Sequence, residues 1–176
     1  MRSSRPRTNK FAGLSLSVSF QPELTAHKGR LLSGSPEKGC PVYAASFVRK
    51  RKIVLTTDLL NDPPMLRLIL IHEIFHFIWP RLSNAVRQEF SELLRAEVAV
   101  RARGELGESS GVKKQGRSRS AAAWKDYVCE SFCDTAAWLF AGVGQHPSFR
   151  LAKAWRVRRA LWFHNTFERY WSVRCS

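Results

Sequence analysis

Acidic side chains are scarce in this 176-residue chain: 14 Asp and Glu stand against 29 Lys and Arg, a formal net charge of +15. Cysteine is scarcer still. The four, at positions 40, 129, 133 and 175, are too few to be the disulfide framework of a chain this long, and their spacing demands no oxidation. No run of eighteen apolar residues occurs, which excludes a membrane-spanning helix. The longest apolar stretch, Met65 to Trp79, is interrupted by Arg67, His72, Glu73 and His76. Ten Gly and eight Pro follow no period, so collagen-like and low-complexity architectures are out, and there is no internal repeat. Near the start, Arg2, Arg5, Arg7 and Lys10 precede Phe11–Phe20, but Ser15, Ser17 and Ser19 break that stretch and no small-residue cleavage site follows. This is a poor secretory signal. With weak export signals and unpaired thiols, the expected location is cytoplasmic.

What is present is the composition of one folded domain with one sizeable core: 44% hydrophobic and 24% charged residues. The charge is unevenly spread. Residues 1–57 hold 11 basic against 2 acidic side chains, 101–120 hold 6 against 2, and 150–176 hold 7 against 1. The segments 58–100 and 121–149 are each slightly acidic. A basic periphery attracts acidic protein, anionic lipid or nucleic acid. No nucleic-acid-binding motif accompanies it, so nucleic acid is not the favoured partner.

Residues 1–22 read as a basic flexible tail ending in a strand, because Leu14, Leu16, Val18 and Phe20 alternate with small or polar residues. Residues 23–176 read as a single domain. Its 28–41 segment is rich in Gly, Ser, Pro and Lys and predicts loop. Val42–Val48 and Ile53–Thr57 predict a hairpin with a basic turn, Arg49-Lys50-Arg51-Lys52. Asp62-Pro63-Pro64 is a helix start, and the helix should run to Trp79 before Pro80. It is apolar on nearly every side and must be buried. Further helices are expected over about 83–103, 122–140 and 148–170. Between them, residues 104–120 offer little but Leu106 and Val112 to a core and predict a mobile basic loop.

The buried helix carries His72-Glu73-Ile74-Phe75-His76, the pattern H-E-x-x-H. Histidines four apart share a helix face, so both imidazoles can reach one metal ion. Glu73, beside the first ligand, can take a proton from a metal-bound water. Polar, titratable groups inside an apolar helix are costly unless something satisfies them, and here three occur together. A catalytic zinc wants a third protein ligand and one open position. The extended H-E-x-x-H-x-x-G-x-x-H pattern is absent, since Trp79 and Leu82 stand where Gly and His are needed. His146 and His164 lie outside any ligand pattern. Glu130 is the better candidate, with Asp134 one turn on to accept the other N–H of a ligating histidine. Glu97 is its rival; its plainer explanation is an ion pair with Arg101 one turn later. Tyr127, one turn before Glu130, and His146 are candidate oxyanion donors.

The H-E-x-x-H helix followed by an E-x-x-x-D helix resembles the zincin metallopeptidases, gluzincin branch: His72, Glu73, His76, Glu130 and Asp134 match that pattern one by one. The matched positions span residues 72–134. The small size resembles minimal gluzincins of the ImmA/IrrE type, although the His76-to-Glu130 separation is longer here. The resemblance implies an α+β zincin-like fold, a Zn2+ cofactor and hydrolysis of peptide bonds. It also implies an edge strand beside the cleft that holds an extended substrate, a place that Ile53–Thr57 would fill. The expected function is therefore a zinc-dependent peptidase. Its metal is held by His72, His76 and Glu130, its general base is Glu73, and its substrate is a protein or peptide of acidic character. The alternative is a non-catalytic, metal-stabilised module of the same fold that contacts an acidic partner or nucleic acid.

Overall fold

The computed structural model describes residues 15–27, 30–33 and 39–172; residues 1–14 of the expected tail, and Cys175, lie outside them. The fold is α+β. Strands β1 (Ser17–Gln21), β2 (Leu24–His27), β3 (Arg30–Ser33), β4 (Cys40–Pro41), β5 (Ala44–Phe47) and β6 (Lys52–Thr56) come first. Helices α1 (Pro63–Ile78), α2 (Asn84–Ala99), α3 (Glu108–Gly116), α4 (Ala121–Phe140) and α5 (Lys153–Ser172) follow. No helix among the described residues is long and apolar enough to cross a membrane.

One sheet has the order β1-β6-β5, the other β3-β2-β4. The expected hairpin forms: β5 pairs antiparallel with β6, with Phe47 opposite Lys52. Its basic turn is a 3-10 turn over Val48–Lys50 closed by Arg51 at φ 51°. Two expectations fail here. Residues 28–41 are not all loop, because β3 and β4 flank β2 in the second sheet. And the Ile53–Thr57 strand is not at an edge. Ile53 to Thr56 are buried in succession, as befits a strand covered on both faces, and β1 lies parallel along the far side of β6. The edge strands of this sheet are β1 and β5.

The helix starts follow their caps. Asp62 Oδ1 accepts the Met65 N–H (3.0 Å), Ser83 Oγ that of Val86 (3.3 Å) and Ser120 Oγ that of Ala123 (3.0 Å). Helix α1 is apolar all round because it has neighbours on both sides. Phe77, Leu66, Ile69 and Leu70 pack with Ile53, Leu55 and Leu59 below it. Phe75 and Ile71 pack with Phe132, Phe90 and Phe163 above it. Helix α4 thus closes over α1.

The 104–120 segment is not a loop. Leu106 is buried, and α3 packs on α4. The small residues that suggest a loop are what bring α3 close: Ser110 is fully buried at that contact. A second feature fastens the segment. Arg159 of α5, fully buried, donates from Nε and Nη2 to the two oxygens of Glu97 (2.9 and 2.6 Å) and from Nη2 to Glu105 (2.9 Å). Tyr127 and Lys114 reach the other Glu105 oxygen at 2.6 and 2.9 Å. Glu97 therefore belongs to a buried ion network, not to a pair with Arg101. Breaking such a network from one side leaves buried carboxylates uncompensated, which costs about 3–5 kcal/mol. Arg159→Met should lower the free energy of urea unfolding by that amount. A loss below about 1 kcal/mol would show that the network does not hold the helices together.

Candidate metal centre

His72 and His76 project from α1 toward α4, which runs antiparallel to it. Antiparallel packing sets the earlier histidine opposite the later acid, and two helical i,i+4 pairs meet. His72 Nδ1–H donates to Asp134 Oδ1 at 2.7 Å. That leaves the Nε2 atoms of both rings facing the same space, 3.1 Å apart. Glu130 Oε2 joins them, 3.2 Å from His72 Nε2 and 3.8 Å from His76 Nε2. Cys133 stands in the same cluster, its Sγ within 4.8 Å of donor atoms of both histidines. His72, His76 and Cys133 make a group that could hold a metal ion, and Glu130 lies against its two histidines. Asp134 is itself held, since its Oδ2 accepts the Ser110 N–H at 2.9 Å. Gly107 lies so close that a Cβ there would sit 2.1–2.3 Å from the Asp134 carboxyl atoms.

Burial alone would push the His72 imidazole down. The hydrogen bonds to Asp134 and Glu130 outweigh it and hold His72 well above the ordinary histidine value. For both acids, burial opposes ionisation but the His72 hydrogen bond wins, so Glu130 and Asp134 are shifted down. Cys129 Sγ lies 3.7 Å from His76 Nδ1. The hydrogen bond from Cys133, helped by His76, lowers the Cys129 thiol to about 6 against the pull of burial. Burial, with the neighbouring Cys129, pushes the Cys133 thiol up. Glu73, whose charge is felt by His72, reaches toward β5, where the Ser46 hydroxyl donates to its Oε2 at 2.5 Å.

The structure thus brings together His72, Glu73, His76, Glu130 and Asp134. It keeps Glu97 away with Arg159. It also removes Tyr127 from the candidate oxyanion donors: that ring is fully buried and its hydroxyl is committed to Glu105. His146 is likewise engaged elsewhere, its Nδ1 2.6 Å from Ser148 Oγ and its ring against Phe149. His164 is exposed on α5. Sequence reasoning missed Ser46, Gly107, Ser110, Cys129 and Cys133 as parts of the site. Only the cysteines carried a signal, since Cys133 follows Glu130 by three residues and shares its helical face. Compared with known proteins, the chain matches no family model, no curated protein and no solved structure.

The Gly107–Asp134 contact can be tested against a neighbour in the same segment. Gly107→Ala must displace the Asp134 carboxylate, and for a metal held at this group, with Zn2+ as the probe, the loss of that carboxylate behind His72 should weaken binding about 10–100-fold. Gly111→Ala, where a Cβ meets nothing within 4 Å, should leave Zn2+ affinity unchanged. Equal affinities for the two variants in a chelator competition assay would refute the role given to Asp134.

Proposed function

We propose that the chain is a zinc-dependent peptidase with a zincin-like fold of the gluzincin type, cutting acidic proteins or peptides. The observation that carries this reading is the convergence of His72 Nε2, His76 Nε2 and Glu130 Oε2. Their separations of 3.1, 3.2 and 3.8 Å bracket the edge of about 3.3–3.4 Å for a tetrahedron with zinc–ligand bonds of about 2.0–2.1 Å. The donor set therefore fits zinc, and these three residues would hold it. Zinc bound there would supply a Lewis acid and a water acidified to a pKa of about 7.

The chain's own groups do the rest. Asp134 takes the Nδ1–H of His72 and thereby fixes the tautomer that presents Nε2. Glu73, on the same helix and steadied by Ser46, accepts a proton at its carboxylate and returns it to the departing amine. The edge strand β5, which carries Ser46, offers its free side to an extended substrate. Unpaired Cys40, Cys129 and Cys133 suit a reducing, cytoplasmic setting.

Cys133 favours a second reading. If its thiolate joins the other three donors, four protein ligands close the tetrahedron and the site is structural. The chain is then a metal-stabilised binding module.

Zinc content comes first. One Zn2+ should bind per chain, and His72→Ala, His76→Ala and Glu130→Ala should each lose most of the affinity. Metal-free His72, shifted up, carries a proton that the metal must displace. Affinity should therefore rise with pH, by about tenfold per unit once His76, also shifted up, has lost its proton, until the pKa of His72 in the fold is reached. Calorimetry in buffers of different ionisation heat should register that released proton. A pH-independent affinity would contradict ligation by His72.

The two readings part at Glu73→Gln. For a peptidase, this variant keeps its metal and fold while hydrolysis of an unfolded acidic protein drops about 10²–10⁴-fold. For the closed site, the Co2+-loaded protein shows a sulfur-to-cobalt charge-transfer band that Cys133→Ser removes, and no Glu73-dependent cleavage occurs.

A further inference from the structure

We propose that a groove on the far side of α4, between α2 and α4, is a docking site for an extended, carboxylate-rich peptide segment. The cavity measures about 600 Å³ and is lined by Arg87, Arg95 and Lys125, with Trp79, Trp124 and Ser91 among the other residues. No Asp or Glu is among the described residues that line it. This is notable because the two segments that build it, 58–100 and 121–149, are slightly acidic overall. Three cations gathered without a carboxylate concentrate positive potential in a concave surface, where it acts most strongly on an anion.

The groove is separate from the metal centre. At about 100° per residue, Glu130 stands about 140° round α4 from Lys125 and about 160° from Val128, another groove residue. The two sites therefore occupy opposed faces of one helix. The proposal consequently holds whether or not the chain is a peptidase.

The spread of the cations selects the ligand. Arg87 and Arg95 are eight residues apart on α2, about 12 Å along its axis. Their heads do not converge. The Arg87 guanidinium is held back at Asn84, one turn earlier, and that of Arg95 lies over the Trp124 ring, 4.5 Å from its centroid. A single phosphate or sulfate would meet one of them. In an extended peptide at about 3.3 Å per residue, carboxylates four residues apart span about 13 Å and meet both, with Lys125 across the groove. Guanidinium groups also suit the planar carboxylate.

Nucleic acid is the weaker fit. Binding of single strands relies on aromatic faces open to bases. Here one Trp124 face carries Arg95, its N–H is bonded to Ser91 Oγ at 2.8 Å, and Trp79 is packed on Phe132, with ring centroids 4.9 Å apart.

The test is fluorescence anisotropy of a labelled decapeptide of alternating Glu and Ser, titrated with the full chain at low salt. The same titration is run with metal-free protein and with the Glu73→Gln variant, so the result does not depend on zinc or hydrolysis. Arg87→Gln, Arg95→Gln and Lys125→Gln should each weaken binding about fivefold, and the triple variant by more than about thirtyfold. Lys113→Gln, which removes an exposed charge on α3 paired with Asp126 outside the groove lining, should change binding less than about twofold. If the triple variant fails to fold by circular dichroism, the exposed Lys125→Gln and Arg95→Gln variants decide the matter alone. Binding unchanged in the groove variants, or equally reduced by Lys113→Gln, overturns the site. Displacement of the peptide by an equimolar oligothymidine, with the same variants losing the oligonucleotide, overturns the peptide as its occupant.

Discussion

One carboxylate organises the centre of this molecule. Asp134 gives one oxygen to the His72 ring on α1 and the other to the Ser110 amide on α3, and it is rooted in α4. Three helices thus meet on a single buried acid. A carboxylate so placed must be ionised to satisfy both donors, and its lowered pKa reflects that demand. It also leaves no space: Gly107 is there because any side chain would occupy the volume of the acid. The orientation of His72, and through it the donor set, depends on this contact.

The Arg159 network supports that arrangement from behind. Glu105 lies two residues before Gly107 and is gripped by Arg159, Tyr127 and Lys114. The chain leading into α3 is therefore anchored before it reaches Asp134. A buried ion pair is weak evidence for net stability, since desolvation offsets much of the Coulomb attraction. Its value here is geometric. Helices α2, α4 and α5 and the Glu105 segment can share one guanidinium only in one relative position.

Much of this was legible in the sequence wherever local chemistry dictates the outcome. The Asp62 cap and the prolines set the start of α1, the basic turn set the β5–β6 hairpin, and the i,i+4 spacings put His72 with His76 and Glu130 with Asp134 on shared faces. What was not legible depends on distant partners. Residues 104–120 look like a loop by composition, and α3 forms because Ser110 and Gly107 dock against α4. Glu97 looked like a surface or ligand carboxylate because its partner, Arg159, lies 62 residues away. Tyr127 looked available because nothing nearby in sequence announces Glu105. Ser46 reaches Glu73 only because β5 lies against α1, which no periodicity reveals.

The distances along the chain also set an order in time. His72 and Asp134 are separated by 62 residues, as are Glu97 and Arg159. During synthesis the histidine pair emerges first, one turn apart on a helix that is too apolar to remain exposed. The acid that orients it comes some sixty residues later, and the arginine that braces the assembly later still. Closing loops of this length is entropically slow, and the long-range contacts repay it only when all are made. A nascent chain therefore passes through a stage in which the strands before α1 can cover one side of it, while the side that α4 will cover, with its two imidazoles, has no partner. Emergence of α4 and α5, rather than synthesis of the motif, is the moment from which the centre can come into being.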